Sequence, residues 1–308
     1  MIKEFYSNGK LLITAEYLVL DGAKSLALPT KFGQSLSLEI TNKPAIISWQ
    51  SFDANGDCWF ETEINFQSII DFPNESKAES IENTLLRILI EAFKLNPKFL
   101  ENATIGYHIT TKLTFPRNWG LGTSSTLINN IAQWVEVDSF ELLNKSFGGS
   151  GYDIACAQNN TAITYELQNE MPIVKPIEFQ PKFKDCIYFV YLNRKQNSNT
   201  AIENYRSKKL HLQSEILEIS GITESVIKGD LSLEYFQNKL IRHEVILSQI
   251  LETPTIQQTY FNDFNGVIKS LGAWGGDFVM IISENNPKSY FKAKGYETIL
   301  TYNEMILV

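Results

Sequence analysis

Apolar residues recur along this chain with two different periods, and the changes of period mark out its elements. Leu127, Ile128, Ile131, Trp134 and Val135 fall on one face of a helix, and so do Ile81, Leu85, Ile88, Leu89 and Ala92, a run that should stop before Pro97. Phe32, Leu36, Leu38 and Ile40 lie opposite Ser35, Ser37 and Glu39, the alternation of a strand with one buried face. Residues 45–50 and 58–64 predict two more strands around Asn55-Gly56, a hairpin signal. The continuous apolar run 11–20 predicts a buried strand ending at Asp21-Gly22, and residues 104–115 predict a strand that feeds Pro116.

In the second half, residues 162–167 and 186–192 read as strands. Helical patterning runs from about 200 to 217 and from 231 to 251, and Pro254 is expected to open a helix running toward Lys269. A strand at 278–282, a final helix and the apolar end Met305-Ile306-Leu307-Val308 close the chain. Strands and helices alternate irregularly, which predicts an α+β class rather than a doubly wound parallel sheet.

Composition narrows the function. With 308 residues and 44% apolar content, the chain can bury one large core or two closely packed ones. A net charge of −8 without a long basic run excludes nonspecific nucleic-acid binding as a reading. Cys58, Cys156 and Cys186 show neither metal-ligand nor redox spacing, so buried reduced thiols and a cytoplasmic setting are expected. His108, His211 and His243 are scattered and fit no ligand pattern. The densest apolar helix, 85–93, is interrupted by Arg87 and Glu91, and the start of the chain has no leader pattern, so no membrane partner is expected.

The chemistry lies in four short segments. Trp119-Gly120-Leu121-Gly122-Thr123-Ser124-Ser125-Thr126 sets two glycines and four hydroxyl residues directly before an amphipathic helix. Glycine lets backbone N–H groups approach an anion closely, and a helix N-terminus holds it there. An ordinary helix cap is the competing reading. Gly148-Gly149-Ser150-Gly151-Tyr152-Asp153 places a carboxylate behind a turn of small residues, and Gly272-Ala273-Trp274-Gly275-Gly276-Asp277 is a further glycine-rich turn. Near the start, Asn8-Gly9-Lys10 leads into Leu11-Leu12-Ile13-Thr14-Ala15-Glu16-Tyr17. Taken singly, Asp153 also reads as a helix cap, Lys10 as a surface lysine, and Glu16 as a charge at a strand end, although an apolar run is an unusual place for an unpaired carboxylate.

In order and spacing these segments resemble the motifs of the GHMP kinases, the superfamily of galactokinase, homoserine kinase, mevalonate kinase and phosphomevalonate kinase. The mevalonate and phosphomevalonate branch is the nearest. The resemblance implies a domain similar to ribosomal protein S5 domain 2 over about residues 1–168 and a ferredoxin-like domain over 169–308. It implies ATP and Mg²⁺ as cofactors and a compact small-molecule substrate, and leaves a homodimer open. Gly120, Gly122, Thr123, Ser124 and Ser125 match the loop around the ATP phosphates, and Ser124 also matches the serine at the metal. Asp153 matches the acid proposed as base or orienter of the acceptor hydroxyl, and Lys10 the lysine near it. Glu16 and Tyr17 match substrate-side positions, while Gly272, Gly275 and Gly276 form a turn that shapes the site.

The chain also departs from the pattern. Trp274 replaces the middle glycine of the third motif, Trp119 stands where a small residue is common, and Ser125 replaces an alanine. The interval from Ser124 to Asp153 is short, which leaves Asp138 and Glu141 as the nearby carboxylates and the second metal ligand unassigned. Lys10, Arg117, Arg194, Lys195 and Lys269 are the cations on offer for an anionic substrate. A diphosphomevalonate decarboxylase on the same scaffold and a degenerate kinase acting as a nucleotide or metabolite sensor are the alternative readings.

Overall fold

The computed structural model describes residues 2–71, 80–194, 198–208 and 211–307. Lys195 and Val308 therefore lie outside the described residues, as do positions 209 and 210 within the helical pattern of 200–217. The chain divides into two compact units, one of Met1–Gly9, Phe32–Arg117 and Gly122–Gln158, the other of Lys10–Lys31, Asn118–Leu121 and Asn159–Val308.

The first unit draws on β1 (Ile2–Leu12), β2 (Ser25–Thr41), β3 (Ile46–Phe52), β4 (Cys58–Asn65), α1 (Phe66–Ile70), α2 (Ile81–Leu95), β5 (Gly106–Leu113), α3 (Thr123–Val135), α4 (Ser139–Ser146) and α5 (Tyr152–Gln158). β1 and β2 each pass from one unit into the other. β3 runs antiparallel to β4 and parallel to β5, and β5 runs antiparallel to β2 with Gln34 opposite Leu113 and Thr41 opposite Gly106. Period-2 patterning then places Leu36, Leu38, Ile47, Trp49 and Ile109 in one core with Leu85, Ile88, Leu89 and Ala92 of α2 and Ile128, Ile131 and Trp134 of α3. The hairpin at Asn55-Gly56 forms as expected, with Gly56 at φ +91° and the Asp53 carboxylate accepting from the N–H groups of Asn55 and Asp57. Ser80 caps α2 by accepting from the Asn83 N–H, and the helix stops at Asn96, before Pro97.

The second unit adds β6 (Ile163–Gln168), β7 (Met171–Pro176), β8 (Ile187–Tyr191), α6 (Ser198–Ser207), α7 (Gln213–Val226), α8 (Leu233–Leu251), α9 (Ile256–Tyr260), β9 (Val267–Ser270), β10 (Phe278–Ile282), α10 (Lys288–Ala293), β11 (Ile299–Thr301) and α11 (Tyr302–Met305). β6 pairs antiparallel with β7 and with Ser25–Ala27 of β2. A separate antiparallel sheet has the order β11-β8-β10-β9. Every residue of β8, β9 and β10 is buried, so these strands lack the alternation that a solvent-facing sheet would show. One mixed sheet, one antiparallel sheet and the helices between their strands make the class α+β, as the irregular alternation implied.

Several elements differ from the sequence pattern. β1 occupies residues 2–12 rather than 11–20, and the chain beyond it passes through Ala15 and Tyr17, with φ of +67° and +65°, into a short 3₁₀ turn over Leu18–Asp21. Apart from Thr14 and Glu16 the run is apolar because the segment is buried, and its backbone is held by side chains: Thr14 Oγ1 accepts from Leu26 N–H and His243 Nε2 from Ala15 N–H. The helical region expected over 200–217 is two helices, α6 and the start of α7. The helix after Pro254 is only the five residues of α9, fixed by a capping box of Thr255 and Gln258, so Lys269 belongs to a strand. Cys156 is buried as expected, whereas Cys186 is half-buried and Cys58, at the start of β4, is exposed. No helix among the described residues is long and apolar enough to cross a membrane.

Leu89 is fully enclosed between α2 and the first unit's sheet. Leu89→Ala is expected to lower the unfolding free energy by about 2–5 kcal/mol, read as a lower denaturation midpoint with an unchanged slope.

Candidate active site

The helix start at residue 123 is built to face outward without a cap. Gly120 and Gly122 have φ of +67° and +96°, a left-handed conformation that suits glycine. Gly122 occupies the cap position of α3 and no side chain caps that end. A Ser, Thr, Asp or Asn cap is ordinarily worth about 1 kcal/mol, so the N–H groups of the first turn are left for another acceptor. The hydroxyl residues divide between two roles. Ser124 is exposed and Thr123 and Ser125 are half-buried, while Thr126 points inward and donates to Gln34 Oε1 at 2.7 Å. Asn130, also fully buried, donates to the Gln34 carbonyl at 2.9 Å and accepts from Ser7 Oγ at 2.7 Å.

Asp153 is half-buried in the first turn of α5, where a negative charge is favoured by the helix dipole. Gly148, Gly149 and Gly151, with φ of +73°, +109° and +87°, lead the chain into it. The Gly151 carbonyl accepts from Ala155 N–H at 3.0 Å, which puts the cap position at Gly151 rather than at Asp153. Asp138 and Glu141 are otherwise engaged: Asp138 caps α4 through the Glu141 N–H, and Glu141 pairs with Lys145 at 3.6 Å. Among the described residues no group of three or more His, Cys, Asp or Glu side chains forms a metal site.

In the second unit, Lys10 is tied twice to the glycine turn, its backbone N–H to Leu121 O at 3.0 Å and its Nζ to Gly120 O at 3.1 Å. That geometry is not the one of a lysine lying loosely on the surface. Asp277 lies against the same turn, and the sequence reading did not single it out. A Cβ on Gly120 would stand 2.0 Å from Asp277 Oδ2, so only glycine lets the two segments meet. The signal for Asp277 was its place directly after Gly275-Gly276, and the structure gives it a φ of +51°. Its carbonyl accepts from Leu192 N–H at 2.8 Å and its N–H donates to Arg194 O at 3.0 Å. Trp119 packs edge-on against Phe278 at 5.3 Å.

The turn of Gly272, Gly275 and Gly276 joins β9 to β10 and is closed by Leu271 N–H donating to Phe278 O. Gly272 and Gly275 have φ of +69° and +90°. At its tip the Trp274 N–H donates to the buried Tyr17 hydroxyl at 2.8 Å, and the indole N–H donates to Pro254 O at 3.3 Å. Burial raises the Tyr17 phenol above its ordinary value, and its ring lies 5.5 Å from that of Tyr205. Tyr17 thus fixes the glycine turn from inside.

Glu16 is fully enclosed in a charged cluster that the sequence did not reveal. Lys269 Nζ reaches Glu16 Oε1 at 2.6 Å, Glu244 Oε1 at 3.3 Å and the Ser270 carbonyl at 2.7 Å, while Ser270 Oγ donates to Glu244 Oε2 at 3.0 Å. Lys269 is therefore occupied by two carboxylates at 0% exposure and is not a cation on offer to substrate. One cation faces two buried carboxylates. Burial pushes Glu16 up to about 7, against the lowering pull of Lys269, and burial also raises Glu244. His243 does not supply the missing positive charge: burial first, and Lys269 second, hold its pKa well below the ordinary value, and its Nε2 accepts from Ala15 N–H. Glu16 Oε2 and His243 Nδ1 have no hydrogen-bond partner. Of the remaining cations, Arg117 stacks 3.8 Å above the Trp59 ring and Arg194 donates to the Tyr260 hydroxyl at 2.7 Å.

No protein-family model matches the sequence, and no curated protein matches it. Solved structures do. The mevalonate kinase of Methanococcus jannaschii superposes with a TM-score of 0.70 at 14% identity, covering 100% of this chain and 99% of that one. The chain has the GHMP kinase fold. The same fold relates it to the galactokinase of Lactococcus lactis solved with galactose, at a TM-score of 0.68 and 13% identity over 100% of this chain and 95% of that one. It also relates it to the phosphomevalonate kinase of Streptococcus pneumoniae solved with phosphomevalonate and AMPPNP, at a TM-score of 0.67 and 15% identity over 97% and 99%. At these identities the likeness is one of fold, and the chemistry of this chain rests on its own residues.

Gly120→Ala forces a side chain into a left-handed position and against the Asp277 carboxylate, and is expected to cost roughly 2 kcal/mol or more, seen as a lower melting temperature. Glu16 gives a pH signature. The folded protein holds its proton up to about 7, whereas the unfolded chain releases it near 4.5. Across that window the folded state binds more protons, so stability falls as pH rises and levels off above the window. The stability difference between wild type and Glu16→Gln is expected to change by about 3 kcal/mol over that interval in denaturation curves; a constant difference would disprove the assignment.

Proposed function

We propose that this protein is an ATP- and Mg²⁺-dependent small-molecule kinase that transfers the γ-phosphate to a hydroxyl or phosphate of a compact, anionic, mevalonate-like substrate. The observation that carries the reading is the N-terminus of α3, left without a side-chain cap behind Gly120-Leu121-Gly122 and bearing the Ser124 hydroxyl in the open. Such a helix end accepts a polyphosphate through its N–H groups and dipole. The fold supports the same reading, because its solved examples include kinases for mevalonate, phosphomevalonate and galactose.

The first-turn N–H groups of Thr123, Ser124 and Ser125 would hold the phosphates, and the Ser124 hydroxyl would be a ligand to Mg²⁺, an ion that keeps waters and phosphate oxygens as its other ligands. ATP with Mg²⁺ supplies the phosphoryl group and disperses its charge. For an alcohol acceptor, Asp153 takes the proton of the hydroxyl as the new oxygen–phosphorus bond forms and the bond to the leaving diphosphate oxygen breaks. Lys10, held against Gly120 O, places a positive charge beside the Gly120-Leu121 segment. Within the second unit, Tyr17 holds the Trp274 turn and Glu16 holds Lys269.

The test is ADP release by purified protein with Mg-ATP and a panel of mevalonate, phosphomevalonate, diphosphomevalonate, homoserine and simple sugars. Turnover with one acceptor is expected. Carbon dioxide release from diphosphomevalonate would assign a decarboxylase instead, and thermal shifts with ATP but no turnover on any acceptor would assign a sensor. Asp153→Asn is expected to lower kcat at least 100-fold while ATP binding, followed by thermal shift, persists; wild-type turnover would remove Asp153 from the proton-transfer role.

A further inference from the structure

α3 and α5 pack against one another within the first unit, and one buried carboxamide joins them. Asn129 is fully buried one helical turn after Ser125. Its Oδ1 accepts from Gln158 Nε2 at 3.1 Å, at the last residue of α5, and from Ser139 Oγ at 2.8 Å, at the first residue of α4. Its Nδ2 donates to Ser7 Oγ on β1 at 2.8 Å. A polar side chain at a position facing two other helices and a strand is expensive to bury unless each of its groups finds a partner. Leu or Ala there would satisfy the apolar pattern of α3 at lower risk, so packing alone does not explain an asparagine.

What the amide does is lock relative position. Apolar contacts are non-directional and tolerate sliding of one helix along another, whereas hydrogen bonds at 2.8–3.1 Å do not. The tie to Gln158 matters most, because α5 has only seven residues and carries Asp153 in its first turn. Too short to be stable alone, it takes its position from its contacts. We propose that Asn129 is a positioning residue that, through Gln158, fixes the helix bearing Asp153 against the helix whose first turn bears Ser124, so that the base and the phosphate-binding turn keep one spacing. This rests on the kinase reading for its catalytic consequence, though not for the tie itself. A displacement of about 1 Å at a reacting group is enough to cost roughly 100-fold in rate.

Gln158 is largely exposed, so Gln158→Met removes the tie without opening a cavity. It is expected to lower kcat about 10- to 100-fold with KM for ATP within about twofold, because the phosphate-binding turn is untouched. Ser139→Ala, which removes the other donor to the same oxygen without touching α5, is expected to retain wild-type kcat. Asn129→Leu should reproduce the Gln158→Met defect if it folds. Hydrogen exchange is measured alongside: amides of residues 152–158 should exchange at least tenfold faster in Gln158→Met, and at wild-type rates in Ser139→Ala, with α3 protected in both. Unchanged exchange in Gln158→Met overturns the tie, whatever the activity. Faster exchange with wild-type kcat overturns its catalytic consequence. If the wild-type protein turns over no acceptor, the kinase reading fails, and the exchange data still decide whether Gln158 and Asn129 hold α5 in place.

Discussion

A helix end that no side chain caps sets the terms for the first unit. α3 begins at Gly122 without a side-chain acceptor, forgoing about 1 kcal/mol of local stabilisation and exposing concentrated positive potential. Its position has to be secured elsewhere, and the opposite face shows how. Thr126, Asn129 and Asn130 are all buried and all hydrogen-bonded, reaching Gln34 on β2 and Ser7 on β1. Apolar residues of the same helix, Ile128, Ile131 and Trp134, supply the burial energy, and the polar ones supply the registration.

The second unit meets a similar requirement with charge. Residues 13–20 leave the strand, pass through two left-handed non-glycine residues and end in a 3₁₀ turn, none of which local propensity favours. The Ala15 N–H on His243, the Glu16 carboxylate on Lys269 and the Tyr17 hydroxyl under Trp274 hold that path. Burial above all, with the Glu244 charge beside it, keeps a proton on Glu16 into the neutral range, and burial holds the His243 pKa well below its ordinary value. Buried ion groups of this kind contribute little net stability but strongly oppose any arrangement that separates them.

Where one face of an element meets solvent, the chain is legible. α2, the β3–β4 hairpin and β5 follow from apolar period, Pro97 and Asn55-Gly56, because one face is buried and the other wetter. Where both faces are buried the period disappears, and so 11–20 reads as a strand when it is mostly not one, and the chain from Pro254 to Lys269 reads as one helix when it is a five-residue helix and a strand. The glycine motifs survive this ambiguity, since a positive φ favours glycine whatever the surroundings. The roles of neighbouring hydroxyls do not: Ser124 and Thr126 look equivalent in sequence, yet one is exposed and the other is bound to Gln34.

The amino-acid order alone thus determined the class of the fold, the helix that begins behind Gly120-Leu121-Gly122 and the carboxylate behind Gly148-Gly149-Ser150-Gly151, because periodicity and backbone freedom are local properties. Tertiary structure alone decided that Lys269 is consumed by Glu16 and Glu244, that Asp277 rests on Gly120, and that Asn129 joins the helices of Ser124 and Asp153. Those pairings link residues 25 to 253 positions apart. No local pattern encodes them, since a hydrogen bond or ion pair depends on which side chains the packed chain brings within about 3 Å of each other.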